Sequence, residues 1–313
     1  MQKNKILITG VAGFIASHIA NRFLAEGYSV VGVDDLSGGA SSNIPNGVDF
    51  IQGNLADPQT IQRLPADCRQ ILHLAGQSSG EISFDDPVAD LTMNTITTLR
   101  LIDYGIRNGV ERIVYASSMS VYGSVPDAPI GESHSPIPLS CYGIGKFASE
   151  GYLRIYQRKL PFVAMRMFNV YGPGQDLSNL RQGMVSIYLA QAINTGRIEV
   201  KGGLERFRDF IFIDDVVEAW WRAATRKEPL NFAINIGTGI RTSVGELLRA
   251  ICDQIPGSNF FVSGSTLGDQ SGIYANPSTM RELLGVDAKT KLNQGLPSFV
   301  VAAKKQLRSS PIR

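Results

Sequence analysis

The 313-residue chain has only three cysteines and three histidines. Cys68, Cys141 and Cys252 lie far apart with no Cys-x-x-Cys spacing, which argues against a disulfide framework and for free thiols in a reducing compartment. His18, His73 and His134 are scattered and show no metal-ligand spacing, so no metal is expected. Neither sign of charge dominates: 30 Lys and Arg stand against 28 Asp and Glu, a net charge of +2. That balance gives no electrostatic footing for nucleic acid or for an anionic membrane surface. Long hydrophobic runs are missing too. Residues 162–167 form one of the longest, and it is strand-length, far short of the ~20 residues of a membrane span. Strand-like Lys5-Ile6-Leu7-Ile8-Thr9 begins almost at residue 1, which leaves no room for a signal peptide and predicts a cytoplasmic protein. What remains is an ordinary globular composition on a chain long enough for one large domain or two interleaved ones.

The amino-terminal stretch reads strand, glycine turn, helix. Residues 6–9 are apolar and β-prone, and residues 14–25 carry helical periodicity. Between them lies Gly10-Val11-Ala12-Gly13-Phe14-Ile15-Ala16, a G-x-x-G-x-x-A variant of the dinucleotide fingerprint. Gly10 permits the tight turn. Gly13 lets backbone N–H groups approach a pyrophosphate where the helix opens at Phe14 and Ile15, and Ala16 allows close helix–strand packing. The next strand, residues 29–33, ends in Asp34-Asp35, about 20 residues beyond Gly13. A carboxylate there accepts hydrogen bonds from an adenosine ribose and repels a 2′-phosphate, so NAD is favoured over NADP.

More strand ends follow in βα rhythm. Residues 48–53 lead to Asn54-Leu55-Ala56-Asp57, residues 70–74 to Ala75-Gly76-Gln77, and residues 112–116 to Ser117-Ser118. This alternation predicts an α/β fold with a Rossmann-type, doubly wound parallel sheet, whose ligands collect at the carboxyl ends of the strands. Asn54, Leu55, Leu74, Ala75, Gly76 and Ser117 are therefore candidate cofactor contacts. Asp57 is placed to meet an adenine amino group or to serve a surface turn. Residues 87 to 108 are predicted to form one helix with Met93, Ile96, Leu99 and Ile102 on a stripe, facing either the core or a partner subunit.

Ser118 stands at a strand end, and Tyr142-Gly143-Ile144-Gly145-Lys146 opens the next long helix, predicted over residues 141–158. Positions four apart share a helix face, about 5–6 Å apart at their β-carbons. An ammonium that close favours phenolate and is expected to lower the tyrosine pKa from about 10. With Ser118 sharing a hydrogen bond to the same substrate hydroxyl, Tyr142 becomes an acid/base for an alcohol oxygen. Lys146 can also reach a nicotinamide ribose.

The ordered landmarks resemble the extended short-chain dehydrogenase/reductases, specifically the nucleotide-sugar epimerase/dehydratase group. They are Thr9-Gly10-x-x-Gly13-Phe14-Ile15, Asp34-x-Leu36, His73-Leu74-Ala75, Asn94, Ser117-Ser118-x-x-Val121-Tyr122-Gly123, Tyr142-x-x-x-Lys146, Arg166-x-Phe168-Asn169-Val170-Tyr171-Gly172-Pro173, Arg208 to Asp215 and Asn235-Ile236-Gly237-Thr238-Gly239. UDP-glucose/UDP-galactose 4-epimerases and their N-acetylhexosamine relatives look closest. The resemblance implies a smaller, interleaved C-terminal substrate domain: residues 1–168 plus 206–238 bind NAD, and residues 169–205 plus 239–313 bind the nucleotide-sugar. It implies that Asn94 contacts the cofactor. Asn169 would contact the sugar-nucleotide phosphates, Gly183 and Met184 would open a helix over the nucleotide, and Arg208 would serve the nucleotide site unless it pairs with Asp209 or Asp214. Asp214 and Asp215 are expected to cap the helix of residues 216–225. Asp269 and Ile273 would bound the substrate, isoleucine being intermediate in size between hexose and N-acetylhexosamine pockets. Relatives also pair through a two-fold four-helix bundle, which implies a homodimer.

Two departures bear on the chemistry. Family dehydratases carry an acidic pair after the serine and decarboxylases keep a glutamate there, whereas this chain has Met119 and Ser120. An elimination would have to borrow an acid such as Glu81. The expected reaction is therefore C4 epimerisation through a 4-keto sugar, with a 4-ketoreductase or dehydratase as the alternative. The second departure is Thr266-Leu267-Gly268-Asp269, where relatives place an arginine two residues before Gly-Asp to bind diphosphate.

Overall fold

The structure, a computed structural model, describes residues 4–228, 230–264 and 271–309. Its first half alternates strands and helices. In order these are β1 (Lys5–Thr9), α1 (Phe14–Ala25), β2 (Ser29–Asp34), β3 (Asp49–Gln52), α2 (Pro58–Gln62), β4 (Gln70–His73), α3 (Pro87–Leu91), α4 (Thr97–Arg107), β5 (Arg112–Ser118), α5 (Cys141–Tyr156) and β6 (Phe162–Met167). Then come β7 (Asn169–Tyr171), α6 (Met184–Thr195), β8 (Arg197–Lys201), β9 (Phe207–Arg208), β10 (Phe210–Phe212), α7 (Ile213–Thr225), β11 (Ala233–Ile236), β12 (Thr242–Ser243), α8 (Val244–Gln254), β13 (Asn259–Ser263) and α9 (Leu292–Ser309).

Seven strands form one parallel sheet in the order β11-β6-β5-β4-β1-β2-β3. Chain order reverses between β1 and β4, so the crevice for a ligand lies beyond their carboxyl ends. Alternation along each strand sends side chains into two cores. Ile6, Ile8, Val114, Ala116, Val163 and Met165 join α1 and α7, while Leu7, Ile113, Tyr115, Phe162 and Ala164 join α4 and α5. Burying each such aliphatic chain contributes about 1.5–3 kcal/mol, which fixes the strand register.

After β6 the chain leaves this sheet. β10 pairs with β7, β9 with β12 and β13 with β8, and β11 returns to β6. A third core gathers α6, α8 and α9 around Ile198, Val200, Phe210 and Phe212. The helix predicted over residues 87–108 is interrupted: residues 92–96 form a π turn between α3 and α4. Thr92, Thr97 and Thr98 turn their hydroxyls back onto the carbonyls of Val88, Met93 and Asn94, which loosens the regular ladder. Of the expected stripe, Ile102 is buried and Met93, Ile96 and Leu99 are half-buried. A second correction concerns Asp214 and Asp215. The helix starts one turn earlier than its acidic pair requires for capping, so both lie inside the first turn of α7. There they still face the positive helix end, but Asp215 accepts the backbone N–H groups of Lys289 and Thr290.

Candidate active site

Thr9 ties the switch point together. Its hydroxyl takes the N–H groups of Leu74 (3.1 Å) and Ala75 (3.0 Å) and pairs with His73 Nδ1 (2.8 Å). The end of β4 is thereby pulled against the glycine turn. Gly10 has φ +71°, and a β-carbon there would lie 2.8 Å from Ala75 N, so no other residue fits without displacement. Gly13 precedes α1 directly, leaving the helix's first N–H groups, at Phe14 and Ile15, without a side-chain cap. Asp34 ends β2, and its carboxylate accepts Ala12 N (3.0 Å) and Leu36 N (2.8 Å). Burial pushes its pKa up and those two bonds pull it back. Asp35 turns to Ser37, Asn54 to the backbone of Ala56, and Asp57 caps α2 through Gln59 N. Leu55 is buried in the core beside α4.

This cradle fits a dinucleotide. Gly76 (φ +150°) faces Asn94 so closely that a β-carbon would sit 2.5 Å from Asn94 Oδ1. That oxygen is buried with no hydrogen-bond partner. Buried polar atoms left open beside a glycine-lined crevice are suited to a polar ligand. Ser117 departs from expectation. Its hydroxyl donates to Glu150, on the side of β5 away from Ser118, so its side chain is not offered to a cofactor.

Ser118, Tyr142 and Lys146 converge at the carboxyl end of β5. Ser118 is the last residue of that strand. Ser140 caps α5 by accepting Gly143 N (3.1 Å), which sets Tyr142 in the first turn and Lys146 one turn on. Lys146 Nζ lies 5.6 Å from the Tyr142 ring centroid and 5.1 Å from that of Tyr115. Ser118 Oγ accepts Ser120 N (3.1 Å) and donates to Ser120 Oγ (3.1 Å). The expected fall in the tyrosine pKa does not occur in the ligand-free chain. Burial pushes Tyr142 up to about 12, the negative charge of Asp90 adds to that, and a hydrogen bond from Ser118 opposes it. Burial likewise brings Lys146 down to about 8, with Asp90 holding it up. Desolvation penalises phenolate and ammonium alike.

Behind these residues sits a buried polar lattice. Arg166 donates to both oxygens of Glu150 and to Tyr122 Oη, and Tyr122 donates to Asn235. The lattice joins β5, β6, β11 and α5 below the site.

A cleft of about 300 Å³ opens beside the three residues. Its walls include Met119, Ser120, Ser140, Asn169, Gly183, Met184 and Arg208. Asn169 Nδ2 donates to Asp209 O (3.1 Å). Arg208 Nη1 donates to Phe207 O (2.8 Å), and burial together with neighbouring Arg206 pushes its pKa down to about 10. Asp209 is fully buried and accepts Thr238, Gly239 and Ala275. Glu81, on the cleft wall, accepts Arg181 Nε (3.2 Å). Ile273 is misplaced by the sequence reading: it is fully buried with Val121, Tyr122, Ile130 and Phe168 rather than on the cleft wall. Asp269 and residues 266–268 lie outside the described residues. Residues the motifs did not flag also line the cleft, among them Ser78, Arg181, Gln182, Lys201 and Arg206. Asp90 was missed as well, although its i, i+4 spacing from Asn94 places both on one helical face.

A model of the NAD-dependent epimerase/dehydratase family matches residues 6–237. The chain belongs to that family. It is 36% identical over 309 residues to the UDP-glucose 4-epimerase of Mycolicibacterium smegmatis, covering 95% of this chain and 97% of the relative. Its fold superposes with a TM-score of 0.93 on the UDP-glucose 4-epimerase of Thermotoga maritima solved with UDP-glucose, at 32% identity over 97% of this chain and 99% of that one. A Thermus thermophilus UDP-glucose 4-epimerase complexed with NAD gives 0.89 at 30% identity, covering 96% and 99%. Family membership agrees with the cradle around Gly10, Gly76 and Asn94. Among the described residues no group of three His, Cys, Asp or Glu side chains is placed to hold a metal, and no helix is long and apolar enough to cross a membrane.

Proposed function

We propose that the chain is an NAD-using nucleotide-sugar 4-epimerase acting on a UDP-hexose or UDP-N-acetylhexosamine. The observation carrying this reading is the convergence of Ser118, Tyr142 and Lys146 at the switch-point crevice, followed by Met119 and Ser120 where elimination chemistry needs a carboxylate. Gly10, Gly13, Phe14, Ile15, Asp34 and Asn94 hold NAD, which when bound supplies a hydride acceptor and donor and a positive charge favouring phenolate. Tyr142 takes the proton from the C4 hydroxyl, and Ser118 shares that hydrogen bond. Lys146 opposes protonation of the phenolate. The 4-keto sugar then presents its other face, and Tyr142 returns the proton to the oxygen. Asn169, Gly183, Met184 and Arg208 attend the sugar-nucleotide, a guanidinium fork matching diphosphate oxygens.

On this reading residues 1–168 with 206–238 serve NAD and residues 169–205 with 239–313 serve the substrate. The protein works in the cytoplasm in polysaccharide biosynthesis. It pairs as a homodimer in which α3, α4 and α5 form a four-helix bundle; exposed Val88, Leu91, Ile144, Phe147 and Ile155 supply the apolar faces. Mass spectrometry of the product tests the reaction class. Epimerisation leaves substrate mass unchanged without added cofactor, whereas dehydration or reduction changes it.

A further inference from the structure

Asp90 is the last residue but one of α3 and is 1% exposed, yet nothing in the mechanism above uses it. Its Oδ1 accepts Asn94 Nδ2 (3.1 Å) and Gln77 Nε2 (3.1 Å), while Oδ2 has no partner. That open oxygen points at α5: a β-carbon on Gly145 would lie 3.6 Å from it, one residue before Lys146. A carboxylate oxygen buried without a donor costs free energy unless a positive charge answers it. Lys146 is 4% exposed and, among the described residues, forms no direct ion pair of its own.

We propose that Asp90 is a positioning residue of the epimerase reaction, the buried counter-charge that keeps Lys146 an ammonium beside Tyr142. The inference rests on the functional reading above. Glu150, one turn on along α5, is spent on Arg166, and Asp90 is the carboxylate that acts on Lys146. Tyr142, on its own helix, is driven upward by burial, and Tyr115, on β5, is driven upward too. His73, on β4, is kept neutral by burial, with a pKa near 3. Gln77 and Asn94 are uncharged. Burial raises Asp90 to about 6 and lowers Lys146 to about 8, so both are ionised between those values. Below that window Asp90 takes up a proton; above it Lys146 loses one. Asp90 holds Lys146 up and so places the basic limb of the pH profile.

The test is the Lys146 titration, followed by NMR of lysine labelled at Nζ in the ligand-free protein and assigned with Lys146→Arg. Asp90→Asn keeps the side-chain shape, and Asp90→Ser gives a second neutral variant should the first not fold. The parent midpoint is expected near 8. Either neutral variant should bring it down by about one unit or more, as loss of a nearby opposite charge does. The basic limb of the kcat/KM profile for UDP-glucose should move to lower pH, and Asp90→Glu should restore the parent position. Coincident titrations in parent and neutral variants overturn the proposal. The NMR readout needs no turnover, so an inactive parent contradicts the functional reading while leaving the Asp90 result to stand or fall on its own.

Discussion

Arg166 and Glu150 form a two-pronged ion pair inside the protein, Nε to Oε1 at 3.0 Å and Nη2 to Oε2 at 2.7 Å, with both side chains almost fully buried. The pair clamps β6 to α5, the helix that carries Tyr142 and Lys146. Attraction to Glu150 raises the Arg166 guanidinium against the opposing effect of burial. Removing one partner leaves the other charged and stranded. Glu150→Ala should therefore lower unfolding free energy by about 3–5 kcal/mol, measured by urea denaturation. A change below about 1 kcal/mol, typical of an exposed pair, would contradict this account.

Gly10 is held at φ +71° with Ala75 N where a β-carbon would go. Gly10→Ala should cost about 1–3 kcal/mol of stability through backbone strain and displace the loop after β4. NAD affinity, read by quenching of protein fluorescence, should fall at least tenfold, whereas Gly27→Ala, with open space around it, should leave affinity unchanged.

Two buried groups near the site should give opposite dependences of stability on pH. Burial lowers His73 from its ordinary 6.5 to about 3. The unfolded chain therefore binds a proton between those values that the folded one does not, and this group withdraws stability as pH falls from 7 to 4. Asp90 is raised to about 6, so the folded chain binds the proton first and this group adds stability over the same fall. In chemical denaturation, the stability of His73→Gln relative to the parent should rise on acidification, and that of Asp90→Asn relative to the parent should decline. Parallel curves for both variants would contradict the assignment.

Exposed Ile144 and Ile155 lie on α5, and exposed Val88 on α3. In sedimentation the parent should run at twice the 34.0 kDa chain mass, and Ile155→Asp should shift it to the monomer. A parent already monomeric would remove the dimer.

Much of this was legible in the sequence because it depends on local pattern. Residues 5–9 and 14–25 show apolar runs of strand and helix period, and the glycine turn between them follows from Gly10 and Gly13. Ser118, Tyr142 and Lys146 were legible through spacing and through their place at a strand end. What was not legible depends on burial and on contacts between distant segments. The rise of the Tyr142 pKa comes from desolvation, which no i, i+4 spacing reveals. The inward turn of Ile273 and the engagement of Ser117 by Glu150 depend on tertiary partners. The π turn at residues 92–96 reflects threonine hydroxyls competing for backbone carbonyls within an otherwise helical pattern, and the role of Asp90 depends on its burial against α5.

The most direct measurement is proton NMR of the anomeric region while the purified protein stands with UDP-glucose, then with UDP-N-acetylglucosamine, without added cofactor. The account predicts a new anomeric signal that grows to a plateau with at least one sugar. In Tyr142→Phe the signal should grow at least 100-fold more slowly, the loss expected when a positioned acid/base is removed. Silence from both sugars with folded, NAD-loaded protein, or full turnover by Tyr142→Phe, would contradict it.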